Sequence, residues 1–291
     1  MANLKEVRTR IASVSSTQQI TSAMKMVSAA KFRRAQNAIL GMRPYARELN
    51  AIVADIDVSD GIQTPYHDNR RRERALVVVV ASNKGLCGAF NSNVLKAATS
   101  LIDNYQKQHV EVSVISIGKR ATEFLSKRKG LVVASFDDLL DAVSFEASCK
   151  VSELLMNEFC SKKYDSVDLV YNQFKNSLSQ DLITEQFLPV SPKNIVAATP
   201  EGGSRNDYIF EPDKVTVLRE MIPLMLRSHF YRVLLDSLAS EHGARMTAMQ
   251  KATDNATELL KELRLSYNKA RQAAITNEII EIVSGSEALK G

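Results

Sequence analysis

Leu4, Val7, Ile11 and Val14 recur at alternating spacings of three and four, the stripe of a helix packed along a coiled-coil seam. The stripe then continues in polar and small residues: Gln18, Thr21, Lys25 and Ser28. Residues 1–43 contain no Pro, and Gly41 is their only Gly. The pattern predicts a helix that starts near Ala2 or Asn3, with Asn3 as a cap, and runs to about Asp57, with Pro44 as an irregularity. Residues 58–74, VSDGIQTPYHDNRRRER, break the period and read as a polar loop, with the run Arg70 to Arg74 as solvated linker.

From Ala75 the period changes. ALVVVVAS, EVSVISIG, LVVASF and SVDLVYNQF are short, apolar and β-branched, and read as buried strands. Helical stretches lie between them near Asn91–Gln108, Lys119–Lys129 and Leu140–Lys162. Alternation of strand and helix predicts a three-layer α/β domain around a mostly parallel sheet. DLITEQFLPV, ahead of Pro192, reads as an added and possibly antiparallel strand. Residues 191–210, with two Pro and two Gly, read as a loop.

Helical period returns for the rest of the chain, and Leu224 to Ser284 holds no Pro and one Gly. One sevenfold series runs Leu238, Arg245, Ala252, Leu259, Ser266, Ala273, Ile280. Its companion runs His242, Met249, Ala256, Leu263, Ala270, Asn277. About sixty residues of helix would span roughly 90 Å at 1.5 Å per residue. The expected architecture is a terminal helix at 1–57, an α/β domain at 75–190 and a longer helix at 211–291. The two terminal helices pair antiparallel, the domain is inserted between them, and the far end of the longer helix projects beyond its partner.

Composition sharpens this picture at three points. The chain has 291 residues, 45% hydrophobic and 24% charged, enough for a real core and too few charges for general disorder. The net charge of +5 is unevenly placed: residues 1–50 carry nine Lys/Arg and two acids, whereas residues 230–291 balance eight against eight. An acid-poor, Arg-rich start also fits an organelle transit peptide, but the helical pattern continues past the length of one and finds a partner at the other end. Cys87, Cys149 and Cys160 are isolated, and an odd number is a poor disulfide framework, which points to free thiols in a reducing compartment. No run approaches the length of a membrane span.

Candidate chemistry is sparse. ASNKGLCGAF, Ala81 to Phe90, joins a strand to a helix, and Gly85 and Gly88 there could cradle an anion. It is neither GxxxxGK[ST] nor GxGxxG, so a tight turn needing Gly is the simpler reading. Cys87 beside Lys84 has no His nearby in sequence and reads as a buried, inert thiol. The four His have no metal-ligand spacing. A nucleotide-binding enzyme using this loop remains one alternative, with Lys84 near a phosphate. A nucleic-acid-binding coiled coil is the other, although Phe32 and Tyr45 supply little aromatic interleaving. Neither a catalytic residue, a cofactor site nor a metal site is expected.

At the residue level three stretches together are specific. LKEVRTRIASVSSTQQITSAMKMVSAAKFRRAQ, NKGLCGAFN, and SEHGARMTAMQKATDNATELL with LSYNKARQAAITNEIIEIVSGSEAL resemble the gamma subunit of F-type rotary ATP synthases over nearly the whole chain. The family's closing signature resembles I-T-x-E-x-x-E-x-x-x-G-A. Ile275, Thr276, Glu278, Glu281 and Gly285 fit it, and Ser286 replaces the Ala. The resemblance implies a Rossmann-like inserted domain and a non-catalytic central shaft. It implies as partners three alpha and three beta subunits, the epsilon subunit and the c-subunit ring, with no nucleic acid. It implies a peripheral position at the cytoplasmic face of a bacterial inner membrane. Matched residue by residue, it implies shaft contacts at Met24, Lys25, Arg245, Arg271, Gln272, Thr276 and Glu278; in such a shaft the basic charge of Lys25, Lys31, Arg33 and Arg34 would suit acidic loops on the beta subunits, which adds Lys31, Arg33 and Arg34 to the expected contacts. It implies foot contacts at Arg43, Tyr45, Tyr208, Phe210 and Glu211.

Overall fold

A computed structural model describes residues 4–60, 64–128, 130–176, 179–190, 211 and 213–288. Helix α1 spans Leu4–Asp60 and helix α5 Lys214–Ala288. Between them lie strands β1 Arg74–Val80, β2 Glu111–Ile117, β3 Val132–Ser135, β4 Ser166–Phe174 and β5 Gln180–Leu188. Helices α2 Phe90–Lys107, α3 Lys119–Leu125 and α4 Phe145–Cys160 alternate with the first four strands. The chain divides into two compact units, residues 1–28 with 246–291, and residues 29–245.

The first unit is an antiparallel helix pair. Gln18 Nε2 donates to Thr257 Oγ1 at 2.7 Å, the Thr21 and Thr253 hydroxyls meet at 2.8 Å, and Arg8 donates to the Tyr267 hydroxyl at 2.9 Å. Each step toward the N-terminus on α1 is matched by a step toward the C-terminus on α5. The α1 stripe read from sequence is the inward one: Val7, Thr21 and Ser28 are buried. On α5 only the companion series is right. Met249 and Ala256 are buried, but they pair with Thr253, Leu260 and Tyr267, not with Ala252, Leu259 and Ser266. Leu259 and Leu260 are adjacent and equally apolar, so periodicity alone left a one-residue ambiguity. It is resolved because Thr253 and Tyr267 have polar partners on α1 and their heptad neighbours do not.

In the second unit the five strands form one sheet in the order β3-β2-β1-β4-β5. β1 pairs in parallel with β2 and β4, and β2 with β3. β5 is antiparallel to β4, as the sequence suggested. Six successive residues of β1, Ala75 to Val80, are buried, because helices cover both faces. One face packs Val77 and Val79 on α2 and α3 through Val94, Ala98, Ile102 and Leu125. The other packs Leu76, Val78 and Val80 on α4 and on the start of α5, through Leu155, Phe159, Ile222 and Phe230. Full burial of each large aliphatic side chain contributes about 1.5–3 kcal/mol, so this double-sided β1 is the centre of the unit.

Three expectations are corrected. α1 runs on to Asp60, and α5 begins at Lys214, where Asp213 accepts from the Thr216 amide at 2.9 Å. α3 ends at Leu125, short of the expected Lys129, and α4 starts late because a 3-10 turn takes Asp138–Leu140 and Ser144 caps α4 by accepting from the Ala147 amide. The run Arg70 to Arg74 is no solvated linker. Arg70 donates to the Phe159 carbonyl and stacks over the Phe159 ring, and Arg72 bridges Tyr105 and Gln186. Arg74 donates to the Lys162 carbonyl, while Asp165 accepts from the Glu73 and Arg74 amides. Alternate arginines thus reach the same edge of the sheet, a period of two that the composition of the run concealed.

Candidate functional site

The glycine loop between β1 and α2 is built as a structural joint. Asn91 Oδ1 accepts from the Ser82 amide at 3.0 Å, and Ser82 Oγ donates to the Lys84 carbonyl at 2.7 Å. Gly88 sits at φ 60°, and so does non-glycine Leu86 at 62°. Arg245 on α5 closes the loop from outside, donating to the Lys84 carbonyl at 2.7 Å and the Gly85 carbonyl at 3.2 Å. The loop therefore turns carbonyl acceptors toward a guanidinium. A phosphate cradle would need its amides turned toward a ligand. Lys84 is exposed, and burial pushes the Cys87 thiol up, as expected of an inert cysteine. Among the described residues no three His, Cys, Asp or Glu side chains could hold a metal ion.

Arg245 is only 7% exposed. It pairs with Glu241 one turn back at 2.6 Å and donates to His242 Nδ1 at 3.3 Å. Burial, with Arg245 and Lys31 adding repulsion, pushes the His242 imidazole down to about 4. Burial likewise raises the Glu241 carboxyl, against the pull of Arg245. Of the residues that the resemblance implied for partner contact, Arg245 alone is committed inside the chain in this way. Sequence reading missed the Glu241–His242–Arg245 cluster, although the i,i+4 spacing of Glu241 and Arg245 was a signal for it.

The other expected shaft residues lie at the surface. In the first unit Met24 and Lys25 are half-buried, and the face beside them leaves Ile20, Met26 and Val27 exposed, Met26 at 64%. Every side chain described from Arg271 to Ser286 is exposed, including Arg271, Gln272, Thr276 and Glu278. That stretch also exposes Ile275, Ile279, Ile280, Ile282 and Val283, an apolar set that stays uncovered among the described residues. In the second unit Lys31, Arg33 and Arg34 are exposed on α1, while Phe32 packs edge-on against Phe174. At the foot, Arg43, Tyr45 and Glu211 are exposed; Tyr208 and Phe210 lie outside the described residues.

In chain order two long terminal helices flank an α/β segment, and their exposed side chains suit contact with other proteins. A family model described as ATP synthase matches residues 3–289. The chain is 50% identical to the ATP synthase gamma chain of Cytophaga hutchinsonii, over 99% of each chain. It is 51% identical to that of Flavobacterium johnsoniae over the whole of both. Among solved structures it superposes on a chain of the Tetrahymena thermophila mitochondrial ATP synthase central stalk and c-ring with TM-score 0.60. That match has 25% identity and covers 80% of this chain and 99% of the other. A chain of the Euglena gracilis enzyme shares the fold at TM-score 0.66 and 21% identity, with 98% and 94% covered. The chain belongs to the family of F-type ATP synthase gamma chains. It is a rotor shaft of the central stalk and not catalytic by itself. No described helix is long and apolar enough to cross a membrane.

Proposed function

We propose that the exposed end of α5 and the basic face of α1 turn inside a ring of three alpha and three beta subunits. The foot around Arg43, Tyr45, Tyr208, Phe210 and Glu211 rests on the c-subunit ring with epsilon, at the cytoplasmic face of a bacterial inner membrane. The observation that carries this reading is the end of α5, where five large aliphatic side chains stand uncovered among Arg271, Gln272, Thr276 and Glu278.

Mechanically, a shaft that meets three copies of one partner needs contacts that can be broken and remade. Met24, Met26 and Val27 offer adaptable apolar surface. Lys25, Lys31, Arg33 and Arg34 offer long side chains whose pairing with acidic loops on the beta subunits can shift with angle. Rotor angle then selects among conformations of a beta site, because each angle contacts one conformation better than the others. Ion flow through the c ring supplies the torque. Arg245 serves the shaft indirectly, by holding the glycine loop to α5 from within. Gly85 and Gly88 shape a joint whose carbonyls face Arg245.

Mixing the full chain with alpha and beta subunits tests the reading. A defined complex with one copy of this chain, whose ATP turnover needs it, is the expected outcome. Failure to associate, together with ATP binding by this chain alone, would overturn it.

A further inference from the structure

We propose that the cleft between α1 and α5 walled by Arg43, Arg47 and Arg232 binds the phosphoryl group of a small phosphate ester. The cleft lies within the second unit and measures about 440 Å³, the size of a small-molecule site. Arg43 and Arg47 stand one turn apart on α1, a spacing at which like charges repel unless something negative lies between them. Arg232 reaches the same cleft from α5. Its Nε is buried with no hydrogen-bond partner, a state that costs free energy until an acceptor arrives. Arg43 and Arg47 are exposed on α1, so their forks can turn toward a ligand in the cleft.

The chemistry of the ligand follows from the donor set. One guanidinium fork satisfies a carboxylate; three forks from two helices suit a group with several acceptor oxygens and nearly two negative charges. Ile39, Met42 and Pro44 supply an apolar wall for the organic part of an ester. Three acids also lie nearby, so what the cleft offers a phosphoryl group is directed donor forks and not an excess of formal positive charge. Glu48 lines the cleft, and buried Asp236, one turn beyond Arg232, feels the charge of Arg232 and Arg43. Glu185, bonded to His229 at 2.8 Å, is also drawn down by Arg232. The ester could be a free metabolite or a phospholipid headgroup. Arg43 also belongs to the proposed foot, but Arg47 and Arg232 do not, so the ligand is read independently of that assignment.

Titration of the full-length chain with glycerol 3-phosphate, followed by calorimetry, tests the site. Saturable binding is expected. It should weaken at least about tenfold in Arg232→Gln and in Arg47→Gln, and persist in Arg71→Gln, an exposed arginine elsewhere. Arg47 is exposed on α1, so its variant remains informative if Arg232→Gln fails to fold. Flotation with phosphatidylcholine vesicles containing phosphatidic acid separates the sources. Flotation that glycerol 3-phosphate competes away assigns a headgroup; soluble binding without flotation assigns a free ester. Binding of neither probe, or equal binding by wild type and both cleft variants, overturns the proposal.

Discussion

Arg245, His242, Asp236 and Gly118 each carry a constraint that stability measurements can read. Replacing Arg245 by Ala strands the buried Glu241 carboxylate and frees the Lys84 and Gly85 carbonyls. We expect a loss of about 3–5 kcal/mol in urea unfolding, with Arg245→Lys recovering only part, because an ammonium lacks the planar fork. His242 is held neutral, with its pKa down at about 4, facing Arg245 and Lys31. The unfolded chain takes up a proton below about 6.5. The stability that His242 confers is therefore complete above that pH and is lost as pH falls toward 4, on the order of 3 kcal/mol in all. Asp236 has the opposite sign. Burial raises its carboxyl to about 6, against the attraction of Arg232 and Arg43, so its contribution is complete below about 4 and is lost as pH rises to 6. The two partly cancel in the wild type. His242→Gln should leave a stability that falls from pH 4 to 6, and Asp236→Asn one that rises; identical pH profiles for the two would contradict these assignments. Gly118 sits at φ 97°, and a Cβ there would lie 2.4 Å from the Ala81 carbonyl oxygen. Gly118→Ala should cost on the order of 1–3 kcal/mol from strained backbone alone, read as a lowered urea midpoint.

At the scale of elements, strand and helix order was legible because β1 is a continuous apolar run, as in a sheet covered on both faces, and β2 and β4 are short and rich in Val, Ile and Leu. Helix ends were less legible. A 3-10 turn at Asp138–Leu140 and the Ser144 cap are local hydrogen-bonding choices that periodicity does not register. The Arg70–Arg74 segment was misread because its arginines find carbonyls at Phe159, Tyr164 and Lys162, nearly ninety residues on. The end of α5 yields a prediction at this scale. Its described side chains from Arg271 to Ser286 are all exposed, so truncation after Ala270 should leave the thermal midpoint of the remaining chain almost unchanged. ATP turnover of the reconstituted complex should fall with the same truncation. A large drop in the midpoint would show that the segment stabilises the fold and is not reserved for partners.

For the whole molecule, the prediction concerns charge. Residues 1–50 carry nine basic side chains against two acids, and Lys31, Arg33 and Arg34 are exposed. Association with the alpha and beta subunits should weaken with rising ionic strength, because contacts between exposed charges are screened beyond about 8–10 Å at physiological salt. Replacing Lys25, Lys31, Arg33 and Arg34 together by Gln should lower ATP-driven ion pumping while leaving the unfolding midpoint within about 0.5 kcal/mol per site. Unchanged pumping would remove these four from the coupling surface.

The amino-acid sequence by itself determined the two terminal helices, the α/β segment between them, the added strand and the family, since each rests on local periodicity or on contiguous motifs; that this strand pairs antiparallel with β4 is a tertiary fact. It also showed that α1 is basic. Only the tertiary structure decided which seven-residue series on α5 turns inward, because two adjacent leucines are equivalent until Thr21 and Arg8 choose partners. Only it decided that Arg245 holds the glycine loop and that three arginines from two distant segments share one cleft. Those facts depend on residues far apart in the chain meeting in space, and a local pattern carries no record of that distance.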